Sequence, residues 1–236
     1  MLKLRKSAER GYAKHGWLES FHSFSFAEYF DPDHMGYSVL RVINEDVVAA
    51  GTGFGMHPHR DMEIITYIIS GELRHQDSMG NTSVIRAGDV QRMTAGTGVR
   101  HSEINPSLEH HVHLLQIWIL PNAVGLPPSY EEKHFSAGQK SNQWCLIASQ
   151  QGEGVKIHQD VNIFATNLSQ SSQLGYALAK DRCAYLQVVQ GSIEVESENL
   201  GAGDALMIED LDSFSVHAFE NTEVLLFDLP KYSKQE

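Results

Sequence analysis

The chain of 236 residues has only 2 cysteines and 7 prolines. Cys145 and Cys183 lie in separate β-like apolar runs, neither near a second thiol in sequence, so buried free thiols are expected rather than a disulfide or a nucleophile. Positive charge is also short: 18 Lys and Arg stand against 30 Asp and Glu, a formal net charge of −12. An acidic surface without a basic run argues against direct nucleic-acid binding and against anionic membranes. No apolar stretch reaches the roughly 18 residues that a membrane-spanning helix needs. Met1 to Arg10 lacks the apolar core of a signal peptide, so a cytoplasmic location is expected. With 42% hydrophobic and 9% aromatic residues the chain can bury a sizeable core, and its length allows one large all-β domain or two smaller ones.

Short runs rich in Val, Ile, Leu, Thr and aromatics dominate, among them Tyr37 to Ile43, Met62 to Ile69, Val112 to Leu120, Val161 to Leu168, Cys183 to Val189 and Glu223 to Leu229. Ser70-Gly71, Ala87-Gly88-Asp89, Gln190-Gly191 and Gly201-Ala202-Gly203-Asp204 break them with residues suited to tight turns. Helical signal is weak and confined to Ser25 to Phe30 and Ser129 to His134. The halves repeat one another. Ile-Ile-Ser-Gly-Glu-Leu-Arg from Ile68, Arg-Ala-Gly-Asp-Val from Arg86 and an apolar run ending at Pro121 match Val-Val-Gln-Gly-Ser-Ile-Glu from Val188, Gly-Ala-Gly-Asp-Ala from Gly201 and an apolar run ending at Pro230. Two copies of one β-barrel are therefore expected, residues 1–126 and 144–236, joined by a linker over 127–143.

Thirteen histidines are the unusual count, and the question is whether they are patterned. His57 and His59, spaced i, i+2 on a strand, point to one face roughly 6.5–7 Å apart along it. His101 and Glu103 repeat that spacing on another strand. Three neutral nitrogens and one carboxylate suit a borderline divalent ion such as iron, copper, nickel, cobalt, zinc or manganese and leave positions open for small molecules. Glu63 is a second available carboxylate, and spacing alone leaves the choice open.

Gly51 to Glu63 fits the first cupin motif, G-x5-H-x-H-x3-E, without a gap, and Gly88 to Asn105 resembles the second, with His101 and Asn105 in place but a longer loop lacking the usual Pro. That loop, Met93 to Glu103, resembles the signature of the pirin branch of the bicupins. Arg5 to Gly11, His15-Gly16-Trp17-Leu18, Phe24-Ser25-Phe26, Asp31-Pro32 and His75 to Gly80 are similar to bacterial pirin-like quercetin 2,3-dioxygenases, so the resemblance spans essentially the whole chain. It implies an all-β bicupin of two packed double-stranded β-helix (jelly-roll) barrels, with His57, His59, His101 and Glu103 as metal ligands, Glu103 also as catalytic base, and Glu63 outside the ligand set. The implied cofactor is one divalent transition metal, first of all Fe(II). The implied reaction is O2-dependent cleavage of a flavonol with release of carbon monoxide, its partners a small aromatic substrate and O2. The alternative is a non-enzymatic, metal-dependent interaction protein that regulates a transcription factor or metabolic enzyme. A monomer is expected in preference to a dimer.

Aligning the halves on their glycines places Ala177 and Ala179 opposite the first histidine pair and Val216 or His217 opposite His101, so a metal-free C-terminal barrel is expected, with His217 a satisfied polar residue. His110, His111 and His113 read as a solvated loop. His75 and Asp77 belong to a loop that the resemblance places near the pocket mouth. Phe21, Phe24, Phe26, Phe54, Met56 and Trp118 are possible apolar lining. Arg60 and Arg100 alternate to the opposite strand face and are not assigned to substrate.

Overall fold

The computed structural model describes residues 1–231, and these form 22 strands with one short α-helix and one 3-10 turn. No helix among them is long and apolar enough to cross a membrane. The chain divides into two compact units: Gly11–His134 with Val155–Gln159, and Met1–Arg10 with Phe135–Gly154 and the chain from Asp160 onward. These bounds differ from the expected 1–126, 127–143 and 144–236. The first strand, Leu2–Arg5, pairs with Ala205–Ile208 in the C-terminal unit, where Asp204 accepts from the Ser7 amide and the Lys6 ammonium. Residues 155–159 return to the N-terminal unit, where His158 bonds Glu63. Residues 232–236 of the expected C-terminal barrel lie outside the described residues. Neither cysteine is in a disulfide; Cys183 is buried as expected, whereas Cys145 is only partly buried.

Each unit is an antiparallel two-sheet barrel. In the N-terminal unit the larger sheet runs in the order Ser129–His134, Asp89–Thr94, Glu63–Ser70, Val112–Ile119, Leu40–Val48, Leu18–His22, Gly11–Lys14, and the smaller in the order Gly53–His59, Val99–Ile104, Glu72–Asp77, Thr82–Arg86. The C-terminal unit repeats the plan with Leu2–Arg5, Ala205–Ile208, Arg182–Gln190, Thr222–Pro230, Asn162–Leu168 and Cys145–Ser149 in the larger sheet, and Gln173–Ala177, Ser213–Ala218, Ser192–Val195 and Glu198–Gly201 in the smaller. Gly71 and Gly191, both at φ +80°, make the equivalent turn in each copy, where a Cβ would clash with the His111 carbonyl or with Thr222. The expected helix over Ser129 to His134 is instead an edge strand: its six residues pair with Asp89–Thr94, and Arg92 binds Glu131 at 3.1 Å. Tertiary pairing overrides a weak local preference. Ser25 to Phe30 is no helix either, since Phe26 pairs with Tyr29 around Ala27, which has φ +49°.

Strand alternation and register create a difference between the barrels' interiors. In the N-terminal larger sheet one cross-strand row reads Gln91, Thr66, Gln116, Asn44, His22, every member buried and polar. Apolar side chains lie on both sides of this row along the strands: Leu18, Val48, Ile68 and Leu114 at one end, Ile64, Met93 and Trp118 at the other. The corresponding row of the C-terminal sheet, counted from the Gly71 and Gly191 turns, reads Leu206, Leu186, Leu226, Phe164, Leu146.

Candidate metal centre

The Gly53–His59 strand carries His57 and His59, and its pairing with Val99–Ile104 sets His57 opposite His101 and His59 opposite Val99. Between the pairs His57↔His101 and Phe54↔Glu103 the Gly53–His59 strand carries one extra residue, a bulge that bends it next to His57. Close approach depends on Gly53, at φ +155°, where any Cβ would collide with the Glu103 carbonyl oxygen. The imidazole centroids lie 4.5, 4.7 and 4.8 Å apart, and one nitrogen from each ring falls within 4.8 Å of the others.

Donor chemistry in this cluster fits a metal ion. His57 Nδ1 is 2.8 Å from the Gly55 carbonyl oxygen, which can only accept, so Nδ1 carries the proton and Nε2 presents a lone pair. That Nε2 is 3.0 Å from His101 Nε2, the separation of two nitrogens binding one ion at about 2.1 Å and a right angle. His101 Nδ1 is buried and has no hydrogen-bond partner among the described residues. Burial, reinforced by the neighbouring imidazoles, pushes His59 down to about 4 and His101 down to about 3, so both are neutral, ligand-ready bases at physiological pH.

Glu103 is buried beside this cluster, with Oε2 4.0 Å from His101 Nε2. Gln116 Nε2 donates to both its oxygens at 2.7 and 2.8 Å, and Thr66 Oγ1 donates at 3.3 Å. Burial pushes its carboxyl above the usual range, while His75, His57 and His59 and the Gln116 bond pull the other way. Glu63 takes no part in the cluster. Its carboxylate lies on the other face of its strand and accepts from Thr94 Oγ1 at 3.0 Å and from the His158 amide and Nδ1 at 2.7 and 3.0 Å.

His75 and Asp77 lie behind His101 rather than at a pocket mouth. They are buried and joined at 3.1 Å, the His75 ring is 5.3 Å from that of His101, and the Met79 and Asn81 amides hold Asp77. His110 and His111 are exposed, whereas His113 pairs with Glu45 at 2.9 Å. Arg60 lies against Asp61 and Arg100 reaches the Met56 carbonyl.

The centre opens into a cavity of about 910 Å³ within the N-terminal unit. Phe26, Phe54 and Trp118 line it as anticipated, but Phe21, Phe24 and Met56 do not; Phe24 is core and Met56 is exposed. Trp17, on the N-terminal strand region, meets Phe54 edge-on at 5.1 Å, and Trp118 meets His59 edge-on at 5.0 Å. Sequence reasoning did not single out Trp17, Thr66, Gln116, Asn44 or Asp46. The signal for the last four was a polar residue at an inward position of an otherwise apolar strand.

At the C-terminal barrel's equivalent positions, strand pairing corrects the glycine alignment by one residue. His75 pairs with Glu103 as Val195 pairs with Val216, so Glu103 corresponds to Val216, His101 to Phe214, His57 to Tyr176 and His59 to Leu178. Ala177, Ala179 and His217 lie on the other face. These interior positions hold no nitrogen or carboxylate donor and join that barrel's apolar core.

Two jelly-roll barrels in one chain, one of them with an inward cluster of three imidazoles, define a bicupin. Comparison with known proteins agrees: residues 3–119 match the Pirin family and residues 146–229 match the quercetinase C-terminal cupin domain. A relative named quercetin 2,3-dioxygenase from Escherichia coli (strain K12) is 48% identical over 230 residues, covering 98% of this chain and 99% of its own. The crystal structure of YhhW from Escherichia coli superposes with a TM-score of 0.95 at 47% identity over all of both chains. The bacterial pirin YhhW in complex with nickel(II) gives 0.94 at 46% identity, over 98% of this chain and all of its own. The chain belongs to the pirin family.

Proposed function

We propose that this protein is a metal-dependent dioxygenase that cleaves a flavonol-like substrate with O2 and releases carbon monoxide. The observation that carries this reading is the convergence of three imidazoles and a buried carboxylate at one side of an aromatic-walled cavity. His57, His59 and His101 would hold one divalent transition metal, with Glu103 as the fourth ligand. Iron(II) is the first candidate, and copper, nickel, cobalt, zinc or manganese suit the same donors. The nickel(II) complex of a relative and relatives named for quercetin support the reading.

Bound there, a metal supplies a Lewis acid and a redox partner that bring an electron-rich enolate and O2 into reaction. The chain's own groups do the rest. Glu103, its carboxyl raised by burial, takes the proton of the substrate hydroxyl. Gln116 and Thr66 hold that carboxylate in place without quenching it, since both donate neutral hydrogen bonds. Trp118, Phe26 and Phe54 offer flat apolar surface to the substrate rings and exclude water from the reacting end.

The test measures metal content, then flavonol loss, O2 uptake and carbon monoxide release, in wild type and Glu103→Ala. Wild type is expected to consume flavonol and O2 and release carbon monoxide in a 1:1:1 ratio by the proposed stoichiometry (about one each per turnover), and Glu103→Ala to lose about 100-fold or more in kcat. Stoichiometric metal without flavonol consumption under any metal loading overturns the reading in favour of an interaction protein.

A further inference from the structure

The cavity has a second polar wall. Ser20 and His22 on one strand face Asp46 and Asn44 on the next, in the register Ser20↔Asp46 and His22↔Asn44. All four are at most 5% exposed and all line the cavity. Ser20 Oγ donates to Asp46 Oδ1, and His22 Nδ1 meets Asn44 Oδ1 at 2.8 Å, an oxygen that can only accept. These two bonds leave Asp46 Oδ2 and Asn44 Nδ2 without a protein partner among the described residues. One is an acceptor and the other a donor, two residues apart on one strand face.

A polar side chain at an inward position of a barrel gives up apolar burial that would stabilise it, so a fold selected for stability alone would fill these cavity-lining positions differently. The C-terminal barrel does so: Phe164 takes the place of Asn44, and Thr166, in the place of Asp46, is satisfied by the Lys140 carbonyl. Burial also pushes the Asp46 carboxyl up to about 7, which makes it a poor neighbour for an anion and a good acceptor for a neutral hydroxyl. Ring contacts run from this wall to the imidazoles, His22 to Phe26 at 5.4 Å, Phe26 to Trp118 at 5.4 Å and Trp118 to His59 at 5.0 Å.

We propose that Asn44 and Asp46, the latter oriented by Ser20, form a second recognition point that binds adjacent hydroxyls at the end of the substrate remote from the metal centre. A diol matches the pair, one hydroxyl donating to Asp46 Oδ2 and the other accepting from Asn44 Nδ2. The substrate class is then a planar polyhydroxylated aromatic with hydroxyls at both ends, and an aromatic with a carboxylate or phosphate at the remote end is rejected. This rests on the dioxygenase reading for the near end of the molecule and adds the far end.

The test uses the full-length nickel-loaded protein and measures tryptophan-fluorescence dissociation constants for quercetin and for the same flavonol lacking the two catechol hydroxyls. Wild type is expected to prefer quercetin by about 10-fold, and Asp46→Asn and Ser20→Ala to bring the ratio down to about 2 or less. Thermal unfolding checks that each variant folds, and Ser20→Ala, which leaves the carboxyl in place, supplies the result should Asp46→Asn not fold. The inference is overturned if wild type makes no distinction, if it binds neither flavonol, or if the variants weaken both equally. Discrimination without O2 uptake sinks the dioxygenase reading and keeps this one; turnover without discrimination does the reverse.

Discussion

Position for position, the two barrels place opposite chemistry on one backbone plan. Where the N-terminal barrel has His57, His59, His101 and Glu103, the C-terminal barrel has Tyr176, Leu178, Phe214 and Val216; where one has Thr66 and Gln116, the other has Leu186 and Leu226. The fold therefore does not require this polar row, since in the C-terminal copy Leu206, Leu186, Leu226, Phe164 and Leu146 take its place. In the other copy the layer is buried, and it persists because its members satisfy one another: Gln116 and Thr66 on Glu103, Gln91 against His75, His22 against Asn44. Sites of chemistry are where a fold departs from what stability alone would choose.

The harshest way to break this comparison is to exchange its central pair. Val216→Glu puts a carboxylate into an apolar core with no amide to receive it, and should cost about 3–5 kcal/mol or prevent folding, measured by chemical denaturation. Glu103→Val in the other barrel removes a charge and leaves the Gln116 amide unpaired, which should cost roughly 1–3 kcal/mol. Equal costs would mean that the two interiors are not specialised as described.

Metal binding comes next. His101→Phe, which copies the C-terminal residue, is expected to lower metal affinity by more than about 100-fold, beyond what loss of an outer hydrogen-bond partner costs. Calorimetric titration with nickel(II) reads it directly, and His217→Ala, on the outer face of the other barrel, should leave it unchanged. Gln116→Leu copies Leu226 and sharpens the contrast further. Glu103 then loses the donor shared by both its oxygens, so kcat should fall about 10- to 100-fold with metal content retained.

Much of this plan was legible in the chain. Repeated Gly and Gly-Asp turns marked two copies of one barrel, and the i, i+2 histidines marked the centre because strand alternation alone brings them to one face. Where the reading slipped, the cause was register. Aligning on glycines put Ala177 and Ala179 opposite His57 and His59, whereas the pairing of Tyr176 with Phe214 places those alanines on the opposite face, and a slip of one residue exchanges the faces of a whole strand. Domain bounds slipped for a related reason: Leu2–Arg5 pairs with strand residues 200 to 206 positions away, and nothing local in those residues announces the partner. Gln116 and Thr66 were visible as polar interruptions of apolar strands, but their meaning depends on Glu103, which only the folded barrel brings beside them.

The smallest effect concerns Asp46, whose counterpart Thr166 does not titrate in this range. Burial pushes the Asp46 carboxyl from 3.8 up to about 7, with Glu103 and Glu45 adding to the shift and the Ser20 bond and His113 opposing it. Because the folded state holds a proton that the unfolded chain has lost, this group's contribution to stability is present below about pH 4 and falls away as the pH rises toward 7. Asp46→Asn keeps an oxygen for the Ser20 hydroxyl and removes the charge. Its melting temperature should match wild type near pH 4 and exceed it by a few degrees near pH 8, whereas Thr166→Val should shift the melting temperature equally at both. A constant offset for Asp46→Asn across that range would show that the carboxyl is ionised throughout, and that the polar wall is stabilised as an anion site rather than as a neutral one.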